Sequence, residues 1–258
     1  MLLAILALGG VDFYAMGAFW QQEMGQLFGP DVYAIARVLI PMGFAFLLGC
    51  LGFSSAIDLS RGAIREVLVI AAALMTAGIG AMAAFNTISK PMAIGLSFLA
   101  MLGVGGLYIP PIVALTIISP DEILGAVVGL ALSVRFIGGQ VGYTILYNIL
   151  QIKLTNNIPT LVAPGLVAAG VPADAVKGFI QALVDKNNTA VATTPGLTAT
   201  KLPAILNAAA QGFNELFLQS FPIVYYAAIG FGGAAIIACL LLGNIRKYVT
   251  DRVAVDIH

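Results

Sequence analysis

Residues 124–150 read LGAVVGLALSVRFIGGQVGYTILYNIL, an apolar run carrying one charge, Arg135. A run this long reads as a membrane-spanning helix, because about 20 apolar residues at about 1.5 Å each cross a hydrocarbon core about 30 Å thick. On that geometry Arg135 lies roughly 16 Å in from Leu124, close to the bilayer centre. A charge there costs at least about 2.5 kcal/mol on insertion scales, so the guanidinium is expected to face protein or water rather than lipid. Glycine spacing agrees with this. Gly138, Gly139 and Gly142 follow at three, four and seven positions, on the face of Arg135, and Gly125 and Gly129 repeat at four with Ser133. Small residues so spaced admit a second helix closely. These glycines are read as packing devices on one side of a span that is polar at its centre.

The rest of the chain fits the same solvent. Of 258 residues, 60% are hydrophobic and 9% charged, with a mean hydropathy of +1.00. Soluble domains carry about 25% charged residues, so the expectation is an all-α, polytopic membrane protein whose first partner is the lipid bilayer. The formal net charge is zero, which argues against nucleic acid as a partner. Cys50 and Cys239 both lie in apolar runs and the single histidine is His258, so no metal site, no cofactor site and no His-based catalysis is expected. An intramembrane enzyme is the weakest class on these residues. Met1 opens directly into LLAILALGG without a basic flank, which reads as a span, cut short at its start, and not as a signal peptide.

Six spans follow from the apolar runs. The first covers Met1 to about Trp20 and contains Asp12, roughly 14–24 Å from the outer boundary at helical rise. The second is about Tyr33 to Ile57, the third Val67 to Phe85 and the fourth Met92 to Ile118. Pro110-Pro111 interrupts the fourth just after Tyr108, and proline inside a helix removes a backbone hydrogen bond and kinks it. In a membrane the freed carbonyls must then face protein or a water-filled cavity. The fifth span ends near Leu150 and the sixth runs from Glu215 to Leu242. The organisation is therefore 1–150 for spans one to five, 151–214 for a long outer loop, 215–244 for the sixth span and 245–258 for a polar tail. The loop holds two short amphipathic patterns, Pro172–Val184 and Leu202–Phe213, and the sequon Asn187-Asn188-Thr189. Six spans put both termini on one side, with Arg61, Arg65, Arg246, Lys247 and Arg252. The positive residues thus assign the termini and the Asp58–Glu66 loop to the cytoplasm and the 151–214 loop to the outside.

Several segments together resemble a known family. Pro120-Asp121-Glu122, LSVRFIGGQVGYTILYNIL, the terminal KYVTDRVAVDIH, VDFYAMGAFWQQEM and TTPGLT are similar to the C-terminal half of fungal major facilitator superfamily transporters. The branch is that of the fourteen-spanner drug:proton antiporters, trichothecene-efflux-pump-like and siderophore-transporter-like. The resemblance covers about Val11 to His258, and its most specific piece is Arg135-x-x-Gly138-Gly139-x-x-Gly142-Tyr143. Gly52, Asp58, Arg61, Gly62 and Arg65 resemble the superfamily's cytoplasmic loop signature at altered spacing. The resemblance implies one six-helix bundle of the major facilitator type with an extracellular loop, in the plasma membrane. It implies efflux of small amphipathic compounds driven by proton exchange, with a missing N-terminal half or another membrane bundle as partner. The alternatives are a siderophore-iron transporter half and a truncated, non-transporting membrane protein.

Each singled-out residue carries two readings. Asp12, Arg135 and Gln140 form the expected polar centre of transport, Asp12 as the proton-carrying carboxyl group. The plainer readings are an arginine fixing helices through backbone carbonyls, a hydrated Asp near the bilayer edge, and a glutamine bonding a neighbouring helix. Tyr14, Trp20, Tyr108, Pro110 and Pro111 are candidates for a cavity or gate. For Trp20, beside Gln21 and Gln22, an interfacial aromatic belt is the favoured reading. Asp58, Arg61 and Arg65 are either a cytoplasmic latch or a topology signal, and the latter is favoured.

Overall fold

A computed structural model describes residues 1–28, 32–60, 62–83, 90–184, 202–243 and 245, and these are mostly helical with no strand among them. Helix α1 (Leu2–Tyr14) continues through a π-helical segment (Ala15–Trp20) into α2 (Gln21–Phe28). Then come α3 (Val32–Leu59), α4 (Ile64–Ala83), α5 (Lys90–Gly106) and α6 (Pro110–Ile118). A 3₁₀ turn, Asp121–Ile123, leads into α7 (Leu124–Leu161), which is followed by α8 (Ala163–Ala168) and α9 (Val176–Val184). Helices α10 (Leu202–Ser220) and α11 (Pro222–Leu240) complete the described fold. Among the described residues, six helical stretches are long and apolar enough to cross a membrane: Leu2–Gly25, Ile35–Leu59, Ile64–Ala83, Ile94–Ile118, Asp121–Ala168 and Pro203–Leu240. The protein is an all-α, polytopic membrane protein.

The chain divides into two compact units. One is Met1–Ile149 with the chain from Phe221 on, and the other is Leu150–Ser220. In the first, α5 packs on α3 and α4, α4 packs on α11, and α11 packs on α1. The close contacts are made where glycine removes the side chain. A Cβ on Gly105 would lie 2.3 Å from the Phe46 carbonyl oxygen of α3, and one on Gly103 would lie 2.3 Å from the Met75 nitrogen of α4. With little hydrophobic force between helices in lipid, this backbone-to-backbone packing does the holding. The turn between α3 and α4 needs a left-handed residue, and Gly62 supplies it at φ 82°, its N–H bonding the Ile57 carbonyl at 2.9 Å.

In the second unit, α8 packs against α10 and α9. Val176, Phe179 and Ile180 of α9 are buried, as the amphipathic period requires. Two boundaries differ from the sequence reading. Helix α7 does not end at Leu150 but continues to Leu161, and α10 begins at Leu202 and runs to Ser220. Polarity at Gln151, Lys153, Asn156 and Asn157 marks an end of apolar surface, not an end of helix. None of these residues breaks a helix, and Leu146, Leu150 and Leu154 keep a buried stripe at a four-residue spacing. The sequon at 187–189, Arg61 and the tail from 246 on lie outside the described residues.

Candidate functional site

The site begins with two missing amide hydrogens. Pro110 and Pro111 have no N–H to donate four residues back, so α5 stops at Gly106 and α6 starts at Pro110. Pro111 would otherwise have served the Leu107 carbonyl. The next donor is diverted as well: the Ile112 N–H bonds the Ile109 carbonyl at 2.9 Å, and so leaves the Tyr108 carbonyl free. Two backbone acceptors are thereby exposed in the middle of a span. Arg135 takes both. Its Nη1 donates to the Leu107 oxygen at 3.3 Å and to the Tyr108 oxygen at 3.3 Å. The guanidinium carbon lies 3.4 Å from the Tyr108 ring centroid and 5.7 Å from that of Phe13. Phe46 packs edge-on to Tyr108 at 4.9 Å, and Phe13 lies 5.5 Å from both rings. A cation over aromatic faces in a desolvated site gains about 2 kcal/mol, which offsets part of the cost of its burial.

Arginine reaches this position because α7 lies against α1. A Cβ on Gly10 would come 2.5 Å from the Arg135 carbonyl oxygen. On the facing helix, Gly138 abuts Ala7, Gly139 abuts the Tyr14 ring and Gly142 abuts Val11. Residues 7, 10, 11 and 14 form one strip of α1, and residues 135, 138, 139 and 142 form one strip of α7. The packing expected of Gly138, Gly139 and Gly142 is present. A Cβ on Gly125 or Gly129 would meet nothing within 4 Å among the described residues, so these two glycines take no part in the α1 contact. Their four-residue period continues the Ser133 side of α7, which is turned away from the α1 strip.

The remaining candidates separate. Asp12 is fully buried, and neither Oδ1 nor Oδ2 has a hydrogen-bond partner among the described residues. It sits about 150° round α1 from the strip that meets α7, so no hydrogen bond joins it to Arg135. Arg135 Nη2 is also buried without a partner. Gln140 is exposed on α7 and does not join this centre, because it follows Gly139 by about 100° of helical rotation. Trp20 is corrected from interfacial belt to core: its exposure is 0%, with its ring 6.4 Å from that of Tyr225. Asp58 and Arg65 are exposed at the ends of α3 and α4. Among the described residues no group of three or more His, Cys, Asp or Glu comes together.

Sequence reasoning missed one pair. The Tyr225 hydroxyl of α11 donates a hydrogen bond to Glu23 Oε2 of α2, and both side chains are buried. The signal was available in the spacing. Met16, Phe19, Trp20 and Glu23 form one buried helical stripe, ending in a carboxyl group where the apolar pattern predicts another apolar residue. Phe19 in turn stacks on Tyr143 of α7 at 5.2 Å.

Comparison with known proteins adds a family. The family described as "Fungal trichothecene efflux pump (TRI12)" matches residues 18–258. A trichothecene efflux pump of Fusarium sporotrichioides is 25% identical over 190 residues, covering 74% of this chain and 31% of that protein. A trichothecene efflux pump of Trichoderma arundinaceum is 24% identical over 265 residues, covering 100% of this chain and 43% of that protein. The chain thus spans less than half the length of these relatives. No solved structure matches it.

Proposed function

The chain belongs to the fungal trichothecene efflux pump family, and from that premise we propose that it forms one wall of a proton-driven exporter of small amphipathic compounds. The relatives' names support trichothecene-type toxins as the substrate class. On this reading the bundle is of the major facilitator type, a second bundle supplies the other wall of the cavity, and the termini are cytoplasmic in the plasma membrane. One observation carries the mechanism: the Arg135 guanidinium grips both carbonyls of the broken fourth span. The break at Leu107–Ile109 is a hinge, since its backbone is held by a side chain rather than by the helix itself. Arg135 belongs to α7, so movement of α7 along α1 is transmitted to α6. Asp12 serves as a proton carrier, a buried carboxyl group with no hydrogen-bond partner among the described residues to hold it in one charge state.

Variants introduced at the gene, purified from native membranes and reconstituted in proteoliposomes, test this. With a labelled trichothecene and an imposed proton gradient, Arg135→Ala lowers transport at least about tenfold, about 1.4 kcal/mol of barrier. Asp12→Asn lowers gradient-driven transport similarly while leaving substrate exchange without a gradient intact. Wild-type rates in both variants would rule the mechanism out.

A further inference from the structure

We propose that Glu23, clasped by Tyr225, is a second proton-binding site, separate from Asp12 and Arg135. Among the described residues only three charged side chains are buried: Asp12, Glu23 and Arg135. Arg135 is engaged at the helix break, and Asp12 has no hydrogen-bond partner among the described residues. Glu23 differs from both, for it holds a defined hydrogen bond to a neutral donor from another helix. Trp20 and Tyr225 are at 0% exposure while Glu23 retains 5%, and its neighbours Gln21 and Gln22 are exposed. That residual exposure is enough for a proton to reach the carboxyl group. Trp20 also closes the π-helical segment Ala15–Trp20, a wide turn of the sort that recurs at functional positions.

Other titratable groups lie on the elements packed against this site. The first span contributes Asp12 and Tyr14, α3 contributes Tyr33, Arg37, Cys50 and Asp58, α4 contributes Arg65 and Glu66, α7, whose Tyr143 stacks on Phe19, contributes Arg135, Tyr143 and Tyr147, and α11 contributes Tyr225, Tyr226 and Cys239. Arg37, Asp58, Arg65, Glu66 and Tyr226 are exposed, and the hydrogen bond on Glu23 is to Tyr225. Hydronium transfers a proton to a Glu23 oxygen and leaves as water, one O–H bond forming for the one broken, and the carboxyl group becomes neutral. Reversal on the other side of the transport cycle releases the proton.

The site contains its own reporter, because Trp20 is the chain's single tryptophan. The test follows Trp20 fluorescence of the full chain in lipid nanodiscs from mildly acidic to mildly alkaline pH at fixed sodium. Wild type shows one transition. Glu23→Gln, which keeps an acceptor for the Tyr225 hydroxyl, loses it. Tyr225→Phe shifts its midpoint, and Asp12→Asn retains it unchanged. A flat wild-type titration, or a transition that survives unchanged in Glu23→Gln, overturns the proposal. So does a response to sodium at constant pH with none to pH. The role in transport rests on the proton-driven reading above, but the binding test does not. If Trp20 titrates with Glu23 while export proves independent of the proton gradient, the site stands and the coupling falls.

Discussion

Arg135 is held by what it completes. Its Nη1 supplies hydrogen bonds that Pro111 and the diverted Ile112 cannot give, and its charge rests against the Tyr108 ring. Truncation to alanine leaves two carbonyls unserved inside the bundle and removes the cation–aromatic contact. Hydrogen bonds between membrane helices average only about 0.6 kcal/mol, yet two bonds to a charged group plus the ring contact lead us to expect a loss of about 2 to 3 kcal/mol in all. Thermal unfolding of Arg135→Ala in detergent measures it, and an unchanged midpoint would contradict the clasp. The glycines give a sharper contrast at this scale. Gly10→Ala places a methyl group 2.5 Å from the Arg135 carbonyl oxygen, an overpacking worth about 1 to 3 kcal/mol. Gly129→Ala meets open space and is expected to be neutral or to stabilise by up to about 1 kcal/mol through helix propensity. The same unfolding assay ranks the two, and the reverse order would refute the α1–α7 contact.

At the scale of the element, the broken fourth span and the fifth span are one device. Pro111→Ala restores an N–H that can serve the Leu107 carbonyl, and with it part of the α5–α6 ladder. Arg135 then has less to hold. In a double-mutant cycle Arg135→Ala should cost less in the Pro111→Ala background than in wild type, with a coupling of about 0.5 to 1.5 kcal/mol. Additive costs would show that the arginine and the prolines act independently. The interruption itself was legible, because two adjacent prolines inside an apolar run admit no continuous helix. Its partner was not, since nothing in the spacing of Leu107 and Arg135 says that they meet. Helix ends behaved the same way. The buried stripe through Leu154 carries α7 past the polar residues that suggested a stop at Leu150.

On the scale of the whole molecule, the distribution of Arg and Lys supports an orientation that labelling can check. In a chain lacking the two buried cysteines, Cys50 and Cys239, Asp58→Cys and Glu122→Cys are expected to react with an impermeant maleimide from the cytoplasmic side only. Asn156→Cys should react from outside in intact cells. The inverse pattern would reverse the proposed topology, and with it the direction assigned to α7.

Composition and period by themselves determined that this chain is helical and membrane-embedded, with apolar runs long enough to span and a break at Pro110-Pro111. These properties depend on how each short segment partitions between water and lipid, and partitioning is local. The sequence also determined that Arg135 needs protein or water around it. Only the tertiary structure decided what surrounds it: two carbonyls and aromatic rings, with Asp12 on another face of α1 and Gln140 outside. Likewise, only the fold turned Glu23 from the polar end of a span into a buried acid bonded to Tyr225, residues far apart in the chain. Partner choice of this kind depends on which helices touch and at what rotation, and a helix that is apolar on nearly all sides carries little record of its neighbours.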